Sequence, residues 1–157
     1  VLFENVGEYK LWNKYFDLII QSLEKIRSGN FVTSMERVGL RYISIFDTNE
    51  PIEKCLNLNF QIGFPDFAQR TDLVRLTLKK DEVSVLLNIG HNATATLSNA
   101  TKKTGLYIDI DVSQDTNLPP LQSGHFPKII DNLHTVEKSL FQFVFKDNSF
   151  KNYEVIR

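Results

Sequence analysis

Four charged residues stand at spacings that would align them on extended chain. Arg37 and Arg41 lie four apart with Gly39 midway, and Asp109 and Asp111 lie two apart. Side chains alternate faces along a strand, so each pair shares one face. If the two strands are neighbours, guanidinium and carboxylate meet across the sheet, in the planar fork geometry that suits arginine. Two readings follow. The plainer one is an ion-pair ladder that keeps a strand face solvated. The chemical one is the polar floor of a pocket. Arg37, Arg41 and Arg75 would hold an anionic group, Asp109 and Asp111 would complete the site, and Gly39 would let the ligand approach the backbone.

Other chemistry is poorly supplied. Asp109 and Asp111 give too few oxygen ligands for a divalent cation, so no metal site is expected. His91, His125 and His134 show no His-x-x-x-His or Glu-x-x-His spacing. His134, beside Leu133 on a helix, is the one that would face a sheet and exchange a proton. Cys55 has no local base and reads as a buried thiol rather than a nucleophile. There is no Gly-x-Ser-x-Gly elbow, phosphate loop or dinucleotide fingerprint, so neither catalytic residues nor a cofactor are expected.

The elements that must position these residues fit one domain of 157 residues, 42% hydrophobic and 24% charged. Lys and Arg total 18 against 19 Asp and Glu, too balanced for a field that would hold a nucleic acid. No apolar run reaches the ~20 residues of a membrane span. The single cysteine suits a reducing cytoplasm. The chain opens Val1-Leu2-Phe3-Glu4-Asn5, without an initiator methionine or signal core, and is expected to be the C-terminal part of a longer protein.

Trp12, Phe16, Ile19, Leu23 and Ile26 recur at helical spacing from Tyr9 to Arg27, with an Asn5–Glu8 capping box before them and Ser28-Gly29-Asn30 as the stop. Met35 to Asp47 reads as a strand. Because Ile43 and Ile45 continue the arginine face, it should carry a bulge or be covered on both sides. Ile52 to Leu58 reads as a short helix behind Pro51. Thr71 to Lys79, Val83 to Ile89 and Gly105 to Val112 alternate as a three-strand meander, turning first at Lys80-Asp81. Asn92-Ala93-Thr94 and Thr101 to Gly105 read as polar loops. After the Pro119-Pro120 breaker, Phe126 to Phe145 carries a wide apolar stripe, and Asp147 or Ser149 would cap a last helix through Tyr153.

The segment Glu36-Arg37-Val38-Gly39-Leu40-Arg41-Tyr42-Ile43 resembles the signature of an uncharacterised, sporadically distributed prokaryotic family. That signature is an arginine, then Gly-Leu-Arg-Tyr, isoleucine and usually asparagine; Ser44 holds the last position here. The surroundings are similar too: an aromatic-rich helix before it, the strand Leu106-Tyr107-Ile108-Asp109-Ile110-Asp111, and a Leu133-His134 helix with phenylalanines following. The resemblance covers most of the chain. It implies a bacterial or archaeal protein of unknown activity, here lacking an N-terminal segment, and it brings no catalytic residue.

The expected fold is α+β, an antiparallel sheet of about four strands packed on one side by two long helices. Twelve phenylalanines are many for this length. Phe60, Phe64 and Phe67 should form a lid, and Phe141, Phe143 and Phe145 cannot all share one helical face, so one should be exposed or docked on a protein partner or a second copy. The expected function is a non-enzymatic binding or protein-interaction domain. The alternative is an enzyme or sensor domain that takes a small anionic or nucleotide-like ligand on the Arg/Asp face.

Overall fold

The computed structural model describes residues 2–3, 11–48, 50–58, 73–96, 102–146 and 155–156. Strands β1 (Val38–Phe46), β2 (Leu73–Lys80), β3 (Val83–Thr96) and β4 (Lys102–Gln114), with the two-residue β5 (Val155–Ile156), form one antiparallel sheet in the order β2-β3-β4-β1-β5. Helices α1 (Trp12–Gly29), the single-turn α2 (Ile52–Cys55) and α3 (Phe126–Val144) complete the α+β fold. The apolar stripe of α3 lies on β4 and β1, and Trp12 of α1 stacks on His134 of α3.

Strand alternation builds the core. Phe46, Val85, Leu87, Ile89, Leu106, Ile108, Ile110 and Val112 point to the helix side and bury against Leu133, Val144 and Phe145. The strand expected over Met35 to Asp47 is Val38–Phe46, and it pairs with β4 without a slip, from Val38 opposite Gln114 to Phe46 opposite Leu106. The expected bulge is therefore absent from β1. Ile43 simply stands out from the arginine face, 55% exposed.

The register shift falls in β3 instead, between Gly90 and Ala93, where Asn92 adopts φ 57°. Beyond it, Ala93 pairs with Gly105 and Thr94 with Thr104, their hydroxyls 3.1 Å apart. Asn92-Ala93-Thr94 and Lys102 to Gly105 are thus strand, not loop. Here β3 alternates only alanine with threonine and β4 runs Lys102-Lys103-Thr104, so no large apolar residue marks a face. The β2–β3 turn is Asp81-Glu82, one residue later than expected, with Asp81 at φ 54°.

Three ends also differ. Asn30, not Gly29, takes the left-handed conformation that stops α1, at φ 50°, and its N–H donates to the Arg27 carbonyl at 3.1 Å. Gly29 stays helical beneath the ring of Phe31, which leaves no room for a Cβ. Helix α2 ends at Cys55 because Leu56 forms an antiparallel bridge with Phe145. Asn57 secures that bridge: its N–H donates to the Val144 carbonyl at 2.7 Å, and its Nδ2 donates to the carbonyls of Phe143 and Phe145, each at 2.9 Å. The bridge pulls Phe145 out of α3 and into the core. Phe141 packs on Phe46 and Phe145, while Phe143 is 73% exposed, as the spacing requires of one of the three. The Asn5–Glu8 cap, Phe60, Phe64, Phe67 and the segment after Asp147 up to Tyr153 lie outside the described residues.

Gly105 holds the tightest backbone approach. A Cβ there would run into the Phe46 carbonyl, which is main chain and cannot rotate away. At Gly39 the neighbour is only the tip of a side chain, Arg37 Nη1, 2.8 Å from where a Cβ would stand. Gly105→Ala is therefore expected to cost about 3 kcal/mol or more, and Gly39→Ala about 1 kcal/mol. Urea unfolding of the two variants checks the order; equal losses would contradict it.

Candidate functional site

The charged residues singled out by spacing lie on the sheet face away from α3. Arg41 and Asp111 are directly opposite in the β1–β4 ladder, yet each pairs along the diagonal. Arg41 grips Asp109 with both edges of its fork, Nε to Oδ1 at 2.8 Å and Nη2 to Oδ2 at 2.9 Å. Arg37, one residue before β1, donates from Nη2 to Asp111 Oδ1 at 2.6 Å. Asn88 Nδ2 and the Tyr107 hydroxyl add donors to Asp109 Oδ2 at 3.0 and 2.9 Å.

The two pairs differ in surroundings. The Asp109 side chain is 2% exposed and that of Asp111 24%, while the arginines keep 57% (Arg41) and 50% (Arg37) of theirs in water. Burial pushes the Asp109 carboxyl up, but the hydrogen bonds from Arg41, Asn88 and Tyr107 and the charge of Arg41 outweigh it, so its pKa falls below the ordinary value. The same bond to Asp109 raises Arg41 further. Burial, then the Asp109 carboxylate, raises the Tyr107 phenol.

Gly39 belongs to this group for a reason that spacing alone did not show. The chain that crosses its open Cα is the guanidinium of Arg37, with Cζ 3.0 Å from where a Cβ would be. The missing side chain lets Arg37 fold back along the strand to Asp111. The group that approaches the backbone there is thus the protein's own. Arg75 occupies the same face on β2, opposite Asn88, whose other neighbour is Asp109. The described contacts do not join Arg75 to the carboxylates. Among the described residues no group of three or more His, Cys, Asp and Glu is placed to hold a metal, and all four bonds to the Asp109 oxygens come from protein donors.

A second polar group lies on the helix side of the sheet. Tyr42, one residue from Arg41 and so on the opposite face, brings its hydroxyl to 3.1 Å from His134 Nδ1. Trp12 stacks on the His134 ring at 3.9 Å between centroids and 17° between planes, and its Nε1 donates to Asp131 Oδ1 at 3.3 Å. Glu137, 6% exposed, places Oε2 3.7 Å from the same His134 Nδ1. Burial pushes Glu137 up to about 7, against the pull of Lys138. Burial, then Lys138, lowers His134, while Asp131 opposes. Sequence reasoning placed His134 towards the sheet but missed Glu137. The signal was the i, i+3 spacing His134-x-x-Glu137, the reverse of the Glu-x-x-His order looked for.

Cys55 is buried, its Sγ 3.9 Å from the Glu50 carbonyl. A shallow cleft between α1 and the start of α3, lined by Leu23, Arg27, Leu121 and Phe126, lies apart from both polar groups.

Removing Arg41 strands a buried carboxylate, whereas removing Arg37 exposes one that water already reaches. Arg41→Ala is expected to cost about 3 kcal/mol and Arg37→Ala less than about 1 kcal/mol, read by chemical denaturation near neutral pH. The helix-side pair gives a pH signature. Glu137 is raised from 4.5 to about 7, so the folded state keeps a proton that the unfolded chain releases, and stability falls as pH rises through that interval. His134 is lowered from 6.5, so the unfolded chain keeps a proton that the folded state lacks, and stability falls as pH drops below 6.5. The slopes oppose where the intervals overlap. Relative to wild type, His134→Gln should lose stability with rising pH below 6.5, and Glu137→Gln should gain it as pH rises from 4.5 towards about 7. Urea unfolding across that range checks the opposite signs.

Comparison of the chain with protein-family models, with curated proteins and with solved structures returns no match, so the functional reading rests on this geometry.

Proposed function

We propose that the chain is a non-enzymatic protein-interaction domain that docks through its open sheet face. The observation that carries this reading is the internal pairing of Arg37 and Arg41 on that face. Arg37 and Arg41 donate to Asp111 and Asp109, which leaves those guanidiniums engaged rather than poised for an anion. Around them the face presents apolar groups to water, Ile43 at 55% and Leu73 at 72% exposure. Satisfied arginines, a tyrosine and exposed aliphatic residues are the composition of a protein interface.

The three stretches that carry the resemblance to the prokaryotic family also meet in space, which supports reading them as one unit. Arg37, Gly39 and Arg41 meet Tyr107, Asp109 and Asp111 on one face, and Tyr42 meets His134 on the other. On this reading the domain comes from a bacterium or archaeon and works in the cytoplasm, a compartment in which a buried free thiol such as Cys55 stays reduced. No helix among the described residues is long and apolar enough to cross a membrane.

Thermal-shift measurements with inorganic phosphate, nucleotides and phosphorylated metabolites test the reading, because a ligand of the native state raises Tm by mass action. The expected result is no shift, with Arg41→Ala lowering Tm in every condition alike. Ile43→Lys, which stands opposite Asp109 and so adds no like charge beside it, should leave Tm within about 2 °C, as an exposed substitution does, while abolishing capture of the partner by immobilised domain. A ligand-dependent rise in Tm that Arg41→Ala removes would overturn the proposal in favour of an anion-binding enzyme or sensor.

A further inference from the structure

One ring nitrogen on the helix side is addressed by two competing groups. His134 Nδ1 has the Tyr42 hydroxyl at 3.1 Å and Glu137 Oε2 at 3.7 Å. The first distance is a hydrogen bond and the second is too long for one. The opposite demand is built in, because a buried carboxylate, once ionised, needs a donor, and among the described contacts Nδ1 is the side-chain nitrogen placed nearest to it.

We infer that His134 is a tautomeric switch at the junction of α1, α3 and the sheet, thrown by the proton on Glu137. With Glu137 protonated, the Tyr42 hydroxyl donates to Nδ1 and the ring proton sits on Nε2. When Glu137 loses its proton to solvent, the ring proton relocates to Nδ1 and donates to the carboxylate, and Tyr42 no longer donates to that nitrogen. The ring stays neutral in both states, and only the proton of Glu137 leaves.

Geometry makes the change more than local. A charge-assisted N–H to carboxylate bond needs about 2.8 Å, so Nδ1 and Glu137 Oε2, 3.7 Å apart, must close by about 1 Å, and a ring that turns to do so gives up its bond to Tyr42. Trp12 lies flat on the same ring at 3.9 Å and must follow or lose its stack. It is the one tryptophan of the chain, and it stands at the first turn of α1. The switch therefore sets how α1 seats on α3.

Among the described residues, the charged and titratable groups that face the ring are Tyr42 from β1 and Asp131, Glu137 and Lys138 from α3, while α1 presents Trp12. Asp131 is occupied in part by the Trp12 Nε1–H. Lys138 favours ionised Glu137 and burial opposes it, with burial the larger, which sets the changeover near neutral pH.

The test is ring-nitrogen NMR on the whole chain labelled with 15N-histidine, run beside Trp12 emission between about pH 5.5 and 8.5. In wild type the His134 ring should pass from the Nε2–H to the Nδ1–H form with a midpoint near 7, where Glu137 ionises, and Trp12 emission should change at the same midpoint. Glu137→Gln should remove both changes. Tyr42→Phe, which takes away the competing donor, should move the midpoint to lower pH; this variant decides the matter if Glu137→Gln does not fold. A wild-type ring that keeps one tautomer throughout would overturn the inference. So would a tautomer change that persists in Glu137→Gln, a Trp12 signal that does not follow the ring, or a midpoint unmoved in Tyr42→Phe.

Discussion

A carboxylate buried on a sheet face is tolerable only if a cation is delivered to it, and that requirement organises this fold. Asp109 is 1% exposed, and the guanidinium that neutralises it comes from a strand 68 positions earlier in the chain. The β2–β3 pairing is enforced by a two-residue turn, but no tight turn brings β1 beside β4. The pairing is specified by side chains. A slip of one residue would carry Arg41 to the helix side and leave Asp109 without its cation, while pushing Phe46 into solvent. Charge and apolar burial thus select the same register from opposite faces of the sheet.

The same strand links the two polar groups. Arg41 and Tyr42 are consecutive, so pleating sends one to Asp109 and the other to His134. Leu40 packs against the core between them, and Gly39 leaves room for Arg37 to reach Asp111. A short run of β1 therefore ties the open face, the core and the helix layer together. A network satisfied to this degree confers rigidity and specificity of pairing more than net stability.

Where a segment has one dry face, its pattern was readable. Val74, Leu76 and the alternating residues of β3 and β4, the stripe of α3 and the α+β class followed from periodicity alone. Adjacent Arg and Asp pairs were legible as a candidate ladder because strand spacing limits which side chains can meet. What escaped reading was set by contacts between distant residues or by ends without an apolar face. Beyond the bulge at Asn92, β3 alternates only alanine with threonine, and the outer part of β4 carries Lys102, Lys103 and Thr104 in a row. The stop of α2 depends on Phe145, and the need for glycine at 105 depends on the Phe46 carbonyl. Nothing in the apolar stripe of α3 singled out Glu137. Its burial is decided by what α3 rests on.

The separation of β1 from its partner has a consequence for how the chain is made. Phe46 pairs with Leu106, 60 residues later, and translation proceeds at about 5–20 residues per second. A nascent chain thus carries β1 without its neighbour for roughly 3–12 s. During that interval Leu40, Tyr42 and Phe46 form an apolar strand surface with open backbone edges, the kind of segment that pairs with whatever strand it meets first. A long wait for the partner strand is the cost of a register written by charge rather than by a turn. Arg37, just before the strand, and Arg41, within it, are charges of the kind that flank or interrupt apolar strands and oppose such pairing until Asp109 and Asp111 emerge.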